Sequence, residues 1–234
     1  VFRLLGARYR DRVKAYASIL TPETPEEACA RARESPNAGF LAMKFGWGPI
    51  GKSADLDRRL FQAVREGAGP AIEIMIDAGQ SYDWQQARRA SEWLAAIGAT
   101  WLEEPLDPDD LDGYARLASR SAVSIAAGES ESGVPAFRRL VEHGQVDIVQ
   151  PDLPHAYKSN VLLAASLHYC AATPSAALLE YSVSSSPIRR TLVLPDLPVV
   201  DGYVGVPQTP GLGIEVNLDV VEELSARALH PAVR

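Results

Sequence analysis

Three acidic residues, Asp77, Glu103 and Glu129, stand at equal intervals of 26 positions, and each closes a short apolar run. Asp77 ends Ile72-Glu73-Ile74-Met75-Ile76, Glu103 follows Thr100-Trp101-Leu102, and Glu129 follows Val123-Ser124-Ile125-Ala126-Ala127-Gly128. A strand, a helix and their loops occupy about 30 residues in a βαβ unit, so a repeat near that length sets equivalent points of successive units side by side. The spacing predicts a parallel barrel with three carboxylates converging at one rim. Hard divalent cations such as Mg²⁺ take all-oxygen ligand sets completed by water and substrate. Asp77, Glu103 and Glu129 are therefore the candidate metal ligands.

Strand-like and helix-like segments alternate along most of the chain, the pattern of a parallel sheet with crossover helices. Strands are expected at 13–18, 40–45, 71–77, around 100–103 and 123–128, at 146–150 and at 177–181. Helices are expected at 25–33, where Thr24 caps and Pro25 opens the first turn, and at 55–66, stopped by Gly67. Further helices are expected at 84–97, ended by Gly98, and at 111–117, 134–143 and 160–171. The reading divides the chain into a leading segment at 1–12, a (β/α) barrel at 13–193, and a Pro- and Gly-rich returning segment at 194–234.

One place breaks the rhythm. Asp152 follows the sixth strand, yet Pro154-His155 arrives at once, before the next helix. A parallel connection needs a crossover of a dozen or more residues, and this one is too short. Either the barrel has lost a helix and a strand here, or a segment absent from the printed sequence belongs between Asp152 and Leu153. The second is expected, because an open barrel exposes two strand edges and much of its apolar interior.

Composition narrows the function classes. A formal net charge of −7 over 234 residues argues against nucleic acid or an anionic membrane as the main partner. Cys29 and Cys170 lack metal-ligand spacing and are expected as separate thiols in a reducing compartment. With no bilayer-spanning run and no secretory signal, the expected location is the cytoplasm.

Taken in order, the motifs resemble the enolase superfamily, in particular its mandelate racemase branch. They are Arg10-Asp11-Arg12, Met43-Lys44-Phe45-Gly46, Asp77-Ala78-Gly79-Gln80, Trp101-Leu102-Glu103-Glu104-Pro105 and Ala127-Gly128-Glu129-Ser130. Gln150-Pro151-Asp152, Pro154-His155, Leu179-Glu180-Tyr181 and Pro210-Gly211-Leu212-Gly213 complete the series. The resemblance implies a TIM-type barrel of seven to eight β/α units, preceded in the family by an α+β capping domain that this chain does not contain. It implies Mg²⁺ on Asp77, Glu103 and Glu129. It also implies an Asp152-His155 dyad in which the aspartate orients the imidazole, and Glu180 as a donor to a substrate carboxylate. Lys44 matches the first lysine of a Lys-x-Lys motif, whereas Gly46 replaces the second, the usual base on the other face. The implied substrate is a small carboxylate, a sugar acid, and the implied assembly a homo-oligomer.

The proton α to a carboxylate is weakly acidic because its removal adds a second negative charge to an anionic group. A divalent cation, Lys44 and a protonated Glu180 would stabilise the enediolate, and a base of near-neutral pKa such as His155 then suffices. Loss of a β-hydroxyl would make the reaction a dehydration. A racemase, epimerase or cycloisomerase normally wants bases on both faces, and Gly46 counts against it. A non-catalytic homologue stays open, and a glycosidase barrel would not need three carboxylates in register with a His dyad. Taken singly, each acid reads as a cap or loop ion pair and His155 as a loop histidine. Glu104, Asp147 and Glu131 are expected to be structural, and His143, His168 and His230 to occupy surface or helix positions. Trp47 reads equally as a pocket wall or a packed loop aromatic.

Overall fold

The computed structural model describes residues 1–152 and 157–229, with side chains to 226. Its barrel strands are β1 (Arg12–Leu20), β2 (Ala42–Gly46), β3 (Glu73–Asp77), β4 (Trp101–Glu103), β5 (Ser124–Ala127), β6 (Ile148–Val149) and β7 (Leu179–Ser182). The helices between and after them are α1 (Pro25–Asn37), α2 (Ala54–Ala68), α3 (Trp84–Ala96), α4 (Leu111–Ala118), α5 (Gly133–Glu142), α6 (Asn160–Ala172) and α7 (Pro187–Arg190). Parallel ladders join these strands in the order β6-β5-β4-β3-β2-β1-β7. Burial on both faces explains why they read as near-continuous apolar runs. Tyr16, Ala42, Met75, Trp101 and Ala126 fill the barrel interior. Alternate positions such as Phe45, Ile74, Ile76, Leu102 and Ile125 pack outward in one core with Leu60, Leu94, Leu117 and Leu140 of the helices.

Helix boundaries follow capping chemistry. The Thr24 side chain accepts from the Glu27 amide ahead of Pro25, as expected. Asp83 and Gln86 close a reciprocal capping box on α3. The expected stop of α2 at Gly67 is corrected: the helix continues to Ala68 and ends at Gly69, whose φ is 76°. Gly67 is a packing glycine, where a Cβ would lie 2.2 Å from the Cys29 carbonyl oxygen of α1.

The returning segment is partly extended, as expected. Its strands are β8 (Val193–Leu194), β9 (Val199–Val200), β10 (Tyr203–Gly205) and β11 (Glu215–Val216), and β10 pairs antiparallel with β1. It also contains a helix that the Pro and Gly content masked, α8 (Leu218–Leu229). His168, expected at a surface or helix position, is helical but buried. Its Nε2 lies 3.1 Å from the Leu212 carbonyl oxygen and its ring stacks on Phe2 at 5.4 Å. Among the described residues no helix is long and apolar enough to cross a membrane, and both cysteines are free thiols. Burial pushes the Cys170 thiol up to about 12.

The anomaly after Asp152 has a counterpart in the sheet. β6 pairs with β5 and β7 with β1, and among the described residues no ladder joins β6 to β7. The expected discontinuity at 152–153 and His155 itself fall on residues 153–156, outside the described residues.

Two measurements check this packing. Gly67→Ala should destabilise the fold by about 1–3 kcal/mol through overpacking of α1 on α2. Gly69→Ala meets open space and should cost its backbone strain alone, about 1–3 kcal/mol at φ 76° and ψ 174°, both read by urea unfolding. Burial lowers the His168 pKa, so the native state binds fewer protons there than the unfolded chain. Stability should fall as pH drops from 7 towards 5, and His168→Phe should flatten that decline.

Candidate active site

The ends of β2 to β5 build the site through the register of the sheet. Gly46 pairs with Asp77, Asp77 with Glu103, and Glu103 with Ala126. Strand side chains alternate between faces, so Lys44, Asp77 and Glu103 share the inward face with Met75 and Trp101. Glu129 arrives differently, two residues beyond the end of β5. Gly128 has φ 132°, a conformation natural only to glycine, and a Cβ there would press on the Gln150 backbone and the Phe137 ring at 3.2 Å. This backbone turn returns Glu129 to the cluster. Each of Asp77, Glu103 and Glu129 offers a carboxylate oxygen, and these oxygens lie within 4.8 Å of one another.

Lys44 is buried among the acids. Its Nζ contacts the carboxylate of Glu103, lies 3.5 Å from Asp77 Oδ2 and 3.4 Å from Glu180 Oε1. Burial opposes its charge, and Glu103, Tyr16, Glu180 and Asp77 together overcome this and raise its pKa well above the ordinary value. Burial and then repulsion from Glu103 push the Asp77 carboxyl up to about 8. For Glu103, burial works against ionisation, but Lys44, Gln150 and Trp101 prevail and lower its pKa. One lysine thus leaves the carboxylate cluster incompletely neutralised. An oxygen-only donor set with surplus negative charge fits a hard divalent cation, and the expected ligand triad is brought together.

Several partners escaped the sequence reading. Ser18 Oγ donates to Glu180 Oε1 at 2.7 Å. The Trp101 indole N–H and the Gln150 amide donate to Glu103 Oε2 at 3.0 and 2.9 Å. Tyr16 lies beneath Lys44, with Nζ 5.5 Å from the ring centroid. Their signal was phase, because Tyr16 and Ser18 share one face of β1, and Trp101 shares that of Glu103. Of the acids expected to be structural, Glu104 and Asp147 behave as such: Glu104 Oε1 accepts from the Gly128 amide and Asp147 Oδ2 from the Ile125 amide, each at 2.8 Å.

The cluster opens into a cavity of about 740 Å³, lined on its polar side by Ser18, Lys44, Asp77, Glu129, Asp152 and Glu180. Asp152 is therefore at the site; the position of His155 lies outside the described residues. Gly46 faces Asp77 so closely that a Cβ would stand 2.8 Å from the Asp77 Cβ. On this backbone no side chain fits at 46 unless Asp77 moves.

Comparison with known proteins agrees with this geometry. The sequence profile of the family described as Enolase C-terminal domain-like matches residues 27–156 and, in a second piece, 153–220. The chain is 31% identical to a D-galactarolactone cycloisomerase of Agrobacterium fabrum over 256 positions, covering 94% of this chain and 67% of the relative. About 36 of those positions therefore face no residue here. A D-xylonate dehydratase of Haloferax volcanii is 28% identical, over 94% of this chain and 63% of its own length. The solved structure of a 3,6-anhydro-D-galactonate cycloisomerase from Zobellia galactanivorans superposes with a TM-score of 0.86 at 26% identity, covering 95% of this chain and 68% of that one. The chain thus spans roughly two thirds of the length of these relatives.

A Cβ at position 46 meets Asp77, so Gly46→Ala should displace Asp77 and weaken Mg²⁺ binding about tenfold or more, the equivalent of about 1.4 kcal/mol. Calorimetric titration of the metal checks this. Saturating Mg²⁺, at a hundredfold its Kd, should stabilise the wild type by about 2.7 kcal/mol.

Proposed function

The chain belongs to the enolase C-terminal domain-like family, and on that premise we propose that it is a Mg²⁺-dependent dehydratase of an acid sugar, an aldonate or aldarate. The observation that carries this reading is the convergence of Asp77, Glu103 and Glu129 around Lys44, with Glu180 on the same cavity. Relatives of the chain are named as acid-sugar dehydratases and cycloisomerases.

In this reading Asp77, Glu103 and Glu129 hold Mg²⁺, which when bound supplies positive charge to oxygens that gain electron density. Lys44 gives a second positive charge to the substrate carboxylate, and Glu180, in its protonated form, donates a hydrogen bond to it. These donors are fixed before the substrate arrives, so no reorganisation is needed as charge builds on the enediolate. His155 accepts the α-proton, with Asp152 holding its tautomer. The electron pair left on the α-carbon expels the β-hydroxyl, which departs as water with the proton from His155. The resulting enol tautomerises to a 2-keto-3-deoxy acid.

The opposite face supports elimination over two-base chemistry, because Gly46 carries no base and the strand leaves no room for one there. A cycloisomerase or racemase remains the second reading, supported by the named relative from Agrobacterium fabrum and by Lys44 standing on that face. The Asp152-His155 partnership further requires a β/α unit between the two residues. We therefore propose that the native protein carries a further β/α unit between Asp152 and Leu153.

Turnover of an aldonate and aldarate library, followed as keto-acid formation, tests the activity. Asp77→Asn, Glu103→Gln and Glu129→Gln should each abolish turnover and weaken Mg²⁺ binding, and chelator-treated protein should be inactive. His155→Asn should end both dehydration and exchange of the α-proton with deuterated solvent. Exchange persisting at the wild-type rate would assign the base to Lys44 and favour the isomerase. Peptide mapping of the native protein that finds Asp152 bonded directly to Leu153 would refute the additional segment.

A further inference from the structure

Trp47 lines the cavity, and the chemistry above leaves it without a role. It follows Gly46 directly, lines the same cavity as Lys44, Asp77 and Glu129, and is 53% exposed. Its backbone is left-handed, φ 60°, a region that bulky residues seldom occupy and that clusters at functional sites. That conformation is locked from both sides. The Trp47 amide donates to the Asp77 carbonyl at 3.2 Å, and the next residue, Gly48, has no room for a side chain because a Cβ would lie 2.5 Å from the Thr21 carbonyl oxygen. The indole packs against Gly79, where a Cβ would approach its ring to 3.1 Å. A rigid aromatic plane therefore stands beside a metal-ligand strand, supported from behind and open on the cavity side.

An exposed indole held in a strained backbone gains little for the fold. Aromatic walls with a few fixed polar groups are what orient small ligands, and an indole offers a large, rigid apolar face. We propose that Trp47 is a specificity-determining residue whose indole receives the C–H face of the substrate's hydroxylated chain, on the side where Gly46 provides no base. This rests on the acid-sugar reading and deepens it: the favoured substrates present contiguous C–H bonds on one side of an extended chain while their carboxylate lies towards Lys44.

Calorimetric titration of the full-length protein with D-galactonate and with D-xylonate, in saturating Mg²⁺, tests the proposal independently of turnover. Trp47→Ala should weaken the better-bound acid about tenfold or more, whereas Trp47→Phe, which keeps a flat apolar face, should stay within about threefold. Trp47→Asn, whose side chain tolerates left-handed backbone, should repeat the alanine result even if the alanine variant folds poorly. Mg²⁺ affinity should remain at the wild-type value in all three. An unchanged acid affinity in Trp47→Asn overturns the proposal, and so does a loss of acid affinity matched by an equal loss of Mg²⁺ affinity, which would make Trp47 a support for the metal strand. A wild type that binds neither acid would instead overturn the acid-sugar reading on which the proposal rests.

Discussion

A buried ammonium among buried carboxylates sets the terms for everything at the rim of this barrel. Lys44 lies within 4 Å of Asp77, Glu103 and Glu180. At an effective dielectric near 20, two unit charges at such a separation attract by roughly 4 kcal/mol before desolvation is subtracted. Desolvation of several ions offsets much of that, so the arrangement is weak evidence for stability. Its value is in charge placement. Lys44 neutralises part of the cluster and leaves the rest for a cation, while Ser18, Trp101 and Gln150 fix the orientation of Glu180 and Glu103 from the sides. A cluster charged this way suits a hard divalent cation.

Two glycines set the limits of that arrangement. Gly128 redirects the chain after β5 so that Glu129 joins acids borne by strands, and Gly46 leaves the space that Asp77 occupies. Each is a case where the missing Cβ is the functional group. The same absence at position 46 that admits Asp77 also removes the base that two-sided proton transfer would use. In the proposed function, metal binding and reaction class would thus be coupled through a single contact.

The sequence announced the architecture because period and spacing survive translation into a parallel sheet. Equal intervals of 26 residues fix which strand ends are adjacent, and the triad assembled as expected. Equal spacing nevertheless concealed unequal construction: Asp77 and Glu103 are paired strand residues, whereas Glu129 depends on a positive φ. Ser18 and Gln150 were missed because a serine and a glutamine carry no chemical signature outside their register. Gly67 misled because glycine ends helices and also lets helices approach, and only the position of α1 distinguishes the two. α8 was hidden by the Pro- and Gly-rich sequence before it, which suggested an extended tail.

The seam between β6 and β7 bears on the chemistry as well as on the fold. Parallel strands in closed barrels have two neighbours each, and closure is what removes reactive edges. Here the strands on either side of the seam have one parallel neighbour apiece among the described residues, and Val149 on β6 is 37% exposed where a closed sheet would cover it. Asp152 follows β6 directly, and His155 stands only three residues later in the sequence. In a complete barrel their roles would fall at the ends of adjacent strands, separated along the chain by a helix. In the proposed reading Mg²⁺ would be held from β3, β4 and the loop after β5, strands whose parallel ladders are intact among the described residues, with Gln150, directly after β6, donating to Glu103. On that reading the acids that would hold Mg²⁺ stand on strands already paired, whereas the proposed Asp152-His155 partnership needs the β/α unit that the seam lacks among the described residues. If the proposed function holds, a barrel left open at the seam would lose proton transfer before metal binding, and metal affinity and turnover would then report on separate parts of the same barrel.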